Sequence, residues 1–172
     1  MTSTSQLGNV IVEGEYATLR FERRLPHPPE AVWEAITEPG QLAQWYMTKA
    51  QIDGRVGGSI DFIAGISQLH VTGKILVWDP PHVLEHEWNV EPRRELPKGE
   101  RTVIRWELVR EGNGETLLKL THRNLTRQTS MGFAPGTHAF LDRLEAHLNK
   151  AHLPDWIKRV EEMRSSYPSW RS

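Results

Sequence analysis

The stretch TVIRWELVREGNGETLLKLTH, residues 102–122, decides the fold. Apolar and polar side chains alternate with period two, so Ile104, Trp106 and Leu108 share one strand face. Leu118, Leu120 and His122 share a face of the next strand. Between them Glu111-Gly112-Asn113-Gly114 marks a hairpin, because glycine turns the chain at positive φ without steric cost. Two strands with one apolar face each need neighbours and a cover.

Working upstream, the same alternation returns. Val83–Val90 puts Leu84, His86, Trp88 and Val90 opposite Glu85, Glu87 and Asn89. Leu69–Trp78 sets Val71, Ile75 and Val77 on one face and stops at Asp79-Pro80-Pro81. Ser59–Ala64 pairs Ile60, Phe62 and Ala64, and Thr48–Ile52 leads into the turn Asp53–Gly58. Near the start, Val10–Val12 is a short strand and Tyr16–Leu25 a long one, with Leu19, Phe21 and Leu25 on one side. Arg23 breaks that apolar side, and Arg20, Arg23 and Arg24 together read as a solvated strand face. Pro26-His27-Pro28-Pro29 ends the strand and suits a helix start, giving a helix over Glu30–Thr37. Pro39-Gly40 breaks it, and Gln41–Tyr46 forms a second short helix.

Downstream of the hairpin, Thr126–Pro135 reads as a loop and Gly136–Lys150 as the longest helix, its stripe being Phe140, Leu141, Leu144 and Leu148. Pro154 opens a last short helix with Trp156, Ile157, Val160 and Met163 facing inward. The expected fold class is α+β: a curved antiparallel sheet wrapped around a long C-terminal helix, with two short helices after the first long strand. Residues 1–172 are expected to form a single domain, with 1–8 a flexible N-terminus and 151–172 a C-terminal extension.

Composition narrows the function. Lys and Arg number 21 against 22 Asp and Glu, so no basic excess points to nucleic acid. The absence of cysteine excludes disulfides, thiolate metal sites and a Cys nucleophile. No apolar run approaches the roughly 20 residues of a membrane span and no secretory signal is visible, so a cytoplasmic location without membrane contact is expected. The 7 tryptophans are the unusual feature, since rings this bulky must share a core or line a cavity.

Several segments together resemble a known family. They are Leu19–Arg24, Pro28–Trp33 (PPEAVW), Thr37-Glu38-Pro39, Leu42–Tyr46 (LAQWY), Arg55–Gly58, Gly73–Pro81 (GKILVWDPP) and Leu84–Trp88. Thr102–Leu108, Gly114, Leu118–His122 (LKLTH) and Phe140–Leu148 (FLDRLEAHL) complete the pattern. In order and spacing they resemble the heat-shock-protein-90 ATPase activator homologue family, within the START-like (SRPBCC) superfamily. Relatives often carry Gly-Trp where this chain has Gly136-Thr137, a departure at the expected pocket mouth. The resemblance implies a helix-grip fold with a hydrophobic cavity. It points to function only weakly, because one fold serves many tasks.

The expected ligand-binding residues are Trp45, Phe62, His86, Trp88, Trp106, Leu120, His122, Phe140 and Leu144. A cavity lined by aromatic rings with few polar groups is what small-ligand sites look like. His86 and His122 on the apolar face are either core histidines, polar handles for a ligand, or a general acid/base. Glu85 and Glu87 alternate outward, and Asp142 and Glu145 beside Arg143 read as surface charge. The glycine pair Gly57-Gly58 lacks the Lys-Ser/Thr of a phosphate loop, and no G-x-S-x-G or H-E-x-x-H is present. No catalytic residue, cofactor or metal is therefore assigned. Trp78 is expected outside the cavity, and Trp156 and Trp170 against the sheet or a partner subunit. Three functions remain open: binding a small apolar molecule, an enzyme of the polyketide cyclase/dehydratase type using a pocket His, and a co-chaperone-like interaction module or homodimer.

Overall fold

The computed structural model describes residues 6–168, so expectations for residues 1–5 and for Trp170 fall outside the described residues. Eight antiparallel strands form one sheet in the order β1-β2-β8-β7-β6-β5-β4-β3. They are β1 (Asn9–Glu13), β2 (Tyr16–Leu25), β3 (Thr48–Ile52), β4 (Ser59–Ala64), β5 (Leu69–Asp79), β6 (Val83–Val90), β7 (Glu100–Glu111) and β8 (Glu115–Thr126). Helices α1 (Pro29–Thr37) and α2 (Pro39–Trp45) carry the chain from β2 across to the far edge at β3. Helix α3 (Arg127–Leu148) lies over the apolar face, and α4 (Trp156–Arg164) packs beside it. No helix among the described residues is long and apolar enough to cross a membrane.

The deciding hairpin forms as read. Glu111 pairs with Glu115, and Gly112 and Gly114 take φ of 55° and 85° in the turn between them. Register then builds rows across the sheet. His86 lies opposite Ile104, Ile104 opposite His122, and His122 opposite Leu19. The next row runs Leu84, Trp106, Leu120, Phe21, and all of these side chains are buried.

The long helix departs from the sequence reading. It begins at Arg127, so the expected loop over Thr126–Pro135 is helical except for its cap. Pro135 sits inside it, where proline costs about 3 kcal/mol, and Gly132 and Gly136 weaken the pattern further. Two effects offset that cost. Thr126 caps the end through Oγ1, which accepts from the Thr129 N–H, and Ser130, Ala134 and Pro135 are buried.

The charges at this end of the sheet also differ from expectation. Arg23 is 2% exposed, not solvated. Its Nη1 donates to Asp142 Oδ1 at 2.8 Å and to Glu145 Oε2 at 3.1 Å. Arg159 Nε donates to Asp142 Oδ2 at 2.6 Å, so these carboxylates are interior partners and not surface charge. Alternation had placed Arg23 on the apolar face; the acids one helix above make that position tolerable. Nearby, Tyr167 Oη accepts from the Gly8 N–H at 2.8 Å and bonds His138 Nδ1 at 2.8 Å, so Gly8, expected in a loose end, is tied down.

Arg143 is likewise interior. Its guanidinium donates to the carbonyls of Trp45 (2.9 Å), Gln44 (2.9 Å) and Pro154 (2.6 Å), joining the end of α2, helix α3 and the segment before α4. Of the residues expected to face inward from the last helix, Val160 and Met163 are buried, but Ile157 is 52% exposed because its side of α4 meets solvent. Trp156 is half-buried against Phe140, with ring centroids 5.1 Å apart, so it packs on the long helix and not on the sheet. Replacing Arg143 by Met keeps the apolar stem but strands three carbonyls. Urea denaturation of Arg143→Met is expected to show a loss of about 3 kcal/mol, and a loss below about 0.5 kcal/mol would refute the clamp.

Candidate functional site

Alternation puts one face of every central strand under α3, and the space left between them is the site. Trp45 is fully buried at the end of α2, where its Nε1–H donates to the Ala35 carbonyl at 2.7 Å. That bond satisfies the one polar atom of the ring and fixes its plane. Tyr46 stacks on Trp45 at 4.6 Å and meets Phe140 of α3 edge-on at 4.8 Å. Trp106 meets Trp45 edge-on at 6.3 Å from the sheet side.

These rings bound a cavity of about 250 Å³. The sheet contributes Trp88, Ile104, Trp106, Leu120 and His122, α3 contributes Phe133, Phe140 and Leu141, and α4 contributes Trp156. The loop Gly65–Gln68 adds Ile66 and Ser67, which with Gly132 are the exposed lining residues and mark the side meeting solvent. Among the described residues no Asp, Glu, Lys or Arg lines it. A larger depression of about 720 Å³ runs along the β3 edge past Pro39, Lys49 and Arg143, but it is a shallow open groove that encloses nothing.

Of the nine residues expected at the site, Trp45, Trp88, Trp106, Leu120, His122 and Phe140 line the cavity. Phe62 and His86 do not. They border a separate crevice of about 10 Å³ shared with Tyr46, Trp88 and Trp106. Leu144 is fully buried in the core and lines neither space. Alternation reveals which face a residue is on, but not how far along the strand or helix the open space extends. Trp33 and Trp78 meet edge to face at 5.0 Å away from the cavity, as expected for Trp78. Tyr46, Ile66, Phe133 and Trp156 were missed. Phe133 lay in a stretch read as a loop and Ile66 between two strands, while the aromatic pair Trp45-Tyr46 was the available signal for Tyr46.

Each of these two histidines makes one hydrogen bond. His86 Nδ1–H donates to the Glu87 carbonyl at 2.9 Å, and burial pushes its pKa below the usual value. His122 Nε2 lies 2.7 Å from Thr102 Oγ1, which donates its proton to the Trp88 carbonyl at 2.7 Å. A hydroxyl has one proton, so Thr102 must accept from His122, and the ring is the Nε2–H tautomer. Burial, with His86 nearby, pushes the His122 pKa down to about 3. Phe133 stacks on the ring at 5.5 Å. Trp88 Nε1 is a sealed donor with no acceptor among the described residues.

Comparison with known proteins agrees with this fold. The family model described as Activator of Hsp90 ATPase homolog 1-like protein matches residues 26–149. The chain belongs to that family. Solved structures of other proteins share the fold of this activator-homologue chain. CalU16 from Micromonospora echinospora superposes with a TM-score of 0.67 at 24% identity, covering 93% of this chain and 91% of that one. Protein MLL2253 from Mesorhizobium loti gives 0.67 at 26% identity, covering 79% and 99%. The protein encoded by gene BPP1335 from Bordetella parapertussis gives 0.68 at 23%, covering 96% and 93%. No curated protein matches the sequence significantly.

The site predicts a pH response. The His122 pKa falls from 6.5 free to about 3 folded, so the neutral ring's contribution is fully present above pH 6.5 and is lost as pH falls toward 3. His138, pushed down to about 4 chiefly by burial, acts in the same direction. Stability is expected to drop as pH falls from 7 to 4, by up to about 1.4 kcal/mol per pH unit for each such histidine. In ring ¹⁵N–¹H spectra His122 should stay the Nε2–H tautomer from pH 8 to 5. His70, whose pKa is raised by Glu91 and Asp61, should protonate above the usual imidazole value and serves as the internal control. A His122 that protonates near pH 6 would contradict the assignment.

Proposed function

We propose that this protein binds a small, flat, apolar molecule in the cavity between sheet and α3 and does no covalent chemistry on it. The observation that carries the reading is a cavity of about 250 Å³, open to solvent on one side and walled mainly by aromatic side chains, with no charged group among the described residues. A cavity of roughly 150 Å³ takes benzene, so this one suits two or three fused rings. Four tryptophans, Trp45, Trp88, Trp106 and Trp156, contribute wall area that apolar contact can use.

Catalysis is the weaker reading on the same geometry. His86 is bonded to a backbone carbonyl and lies off the cavity, and His122 is bonded to a threonine. A general acid/base is expected to titrate near the working pH and to have an orienting carboxylate. His122, with its pKa pushed down to about 3, meets neither condition.

Naphthalene-sized probes test the proposal. Titrating the full chain with 2-methoxynaphthalene is expected to give saturable one-to-one quenching of tryptophan fluorescence. Ala64 lines the cavity, so Ala64→Phe should fill it and weaken binding at least about tenfold. Its melting temperature should stay within a few degrees of wild type, because the new ring occupies open space. Unsaturable quenching, or unchanged affinity in a folded Ala64→Phe, would overturn the reading.

A further inference from the structure

The wall of the cavity is apolar but not featureless, and its one histidine has a fixed orientation of donor and acceptor. The Thr102 hydroxyl has a single proton, which goes to the Trp88 carbonyl, an acceptor only. The contact between Thr102 Oγ1 and His122 Nε2 therefore has nitrogen as donor. The neutral ring then presents a bare lone pair at Nδ1. No hydrogen bond engages Nδ1 among the described residues, yet it is not among the side-chain atoms sealed from water-sized space. The open space that His122 borders is the cavity.

Apart from Thr137 on α3, the other polar side chains there behave differently. Thr48 spends its hydroxyl proton on the Tyr46 carbonyl at 2.8 Å. Burial raises the Tyr46 pKa, so its hydroxyl stays protonated and uncharged. Ser67 lies on the exposed loop at the solvent side. Among the described residues no cationic side chain lines the walls to balance an anion. A carboxylate entering such a space would lose its hydration without a counter-charge, which is far more costly than the loss of one hydrogen bond.

We infer that His122 Nδ1 accepts a hydrogen bond from the ligand, so that the cavity selects neutral aromatic molecules carrying a hydroxyl over their ethers and over carboxylates. This rests on the binding function proposed above and adds the polar half of the recognition. Thr102 is a positioning residue here, because it holds Nε2–H and so keeps the lone pair on the cavity side.

Three probes of one shape test it by calorimetry on the full chain at pH 7: 2-naphthol, 2-methoxynaphthalene and 2-naphthoate. The naphthol should bind about tenfold tighter than the ether, although the ether is the more apolar, and the naphthoate should show no measurable binding. In His122→Leu the naphthol and the ether should bind within about twofold of one another. In the unaltered protein the His122 Nδ1 resonance should shift with 2-naphthol and stay put with 2-methoxynaphthalene, a readout that needs no variant to fold. Equal affinity for naphthol and ether would overturn the inference while leaving the binding function standing. So would tight naphthoate binding, or a naphthol preference that survives in His122→Leu. If none of the three probes binds, the binding function falls, and this inference with it.

Discussion

One guanidinium holds the enclosing walls together. Arg143 donates to three backbone carbonyls from two segments that share no strand: the end of α2 and the residues before α4. A cation suits the end of α2, where carbonyls lack helical partners and the dipole is negative. Because Trp45 ends α2 and Trp156 begins α4, the same side chain sets both rings relative to α3. The cavity is thus framed by a polar interaction lying just outside it, while its interior stays apolar. That separation lets charge fix the geometry without offering charge to whatever enters.

The sheet contributes in a complementary way. Its rows place Trp106 beside Leu120 and His86 in line with His122, so aromatic and aliphatic groups alternate across strands. The two histidines take the places of core hydrophobes and remain neutral because burial outweighs every nearby charge. Each is held by a single bond to a group that has no other proton to give or take. The result is a pair of histidines whose hydrogen-bonding character is set by backbone carbonyls, directly for His86 and through Thr102 for His122, and does not change across the physiological pH range.

Most of the fold was legible because period-two alternation and proline or glycine punctuation coincide. Val83–Val90 and Tyr16–Leu25 have the bounds that the pattern gave, and Leu19, Phe21 and Leu25 are buried. The first half of α3 was not legible, because Gly132, Pro135 and Gly136 are poor helix formers and only tertiary burial makes that segment helical. Arg23 was misread for a related reason: its partners Asp142 and Glu145 are more than a hundred residues away, and local pattern says nothing of them. At the site, strand faces gave Trp88, Trp106, Leu120 and His122, but depth along the sheet decided that His86 and Phe62 fall outside the cavity. Phe133 and Trp156 depended on how helices pack, which no strand pattern encodes.

The pairing of β2 with β8 also governs how the molecule is assembled. Phe21 lies beside Leu120, so β2 finds its main partner only when β8, the last strand of this sheet, emerges from the ribosome. Until then β1 and β2 form a lone hairpin, and such hairpins are at best marginally stable in water. Closing so long a loop is slow, and the exposed face of β2 with Leu19, Phe21 and Leu25 waits uncovered meanwhile. Arg23 on that same face gives the nascent strand a charge among its apolar side chains. The residue that later locks α3 to the sheet is, earlier in the chain's life, a guard against aggregation.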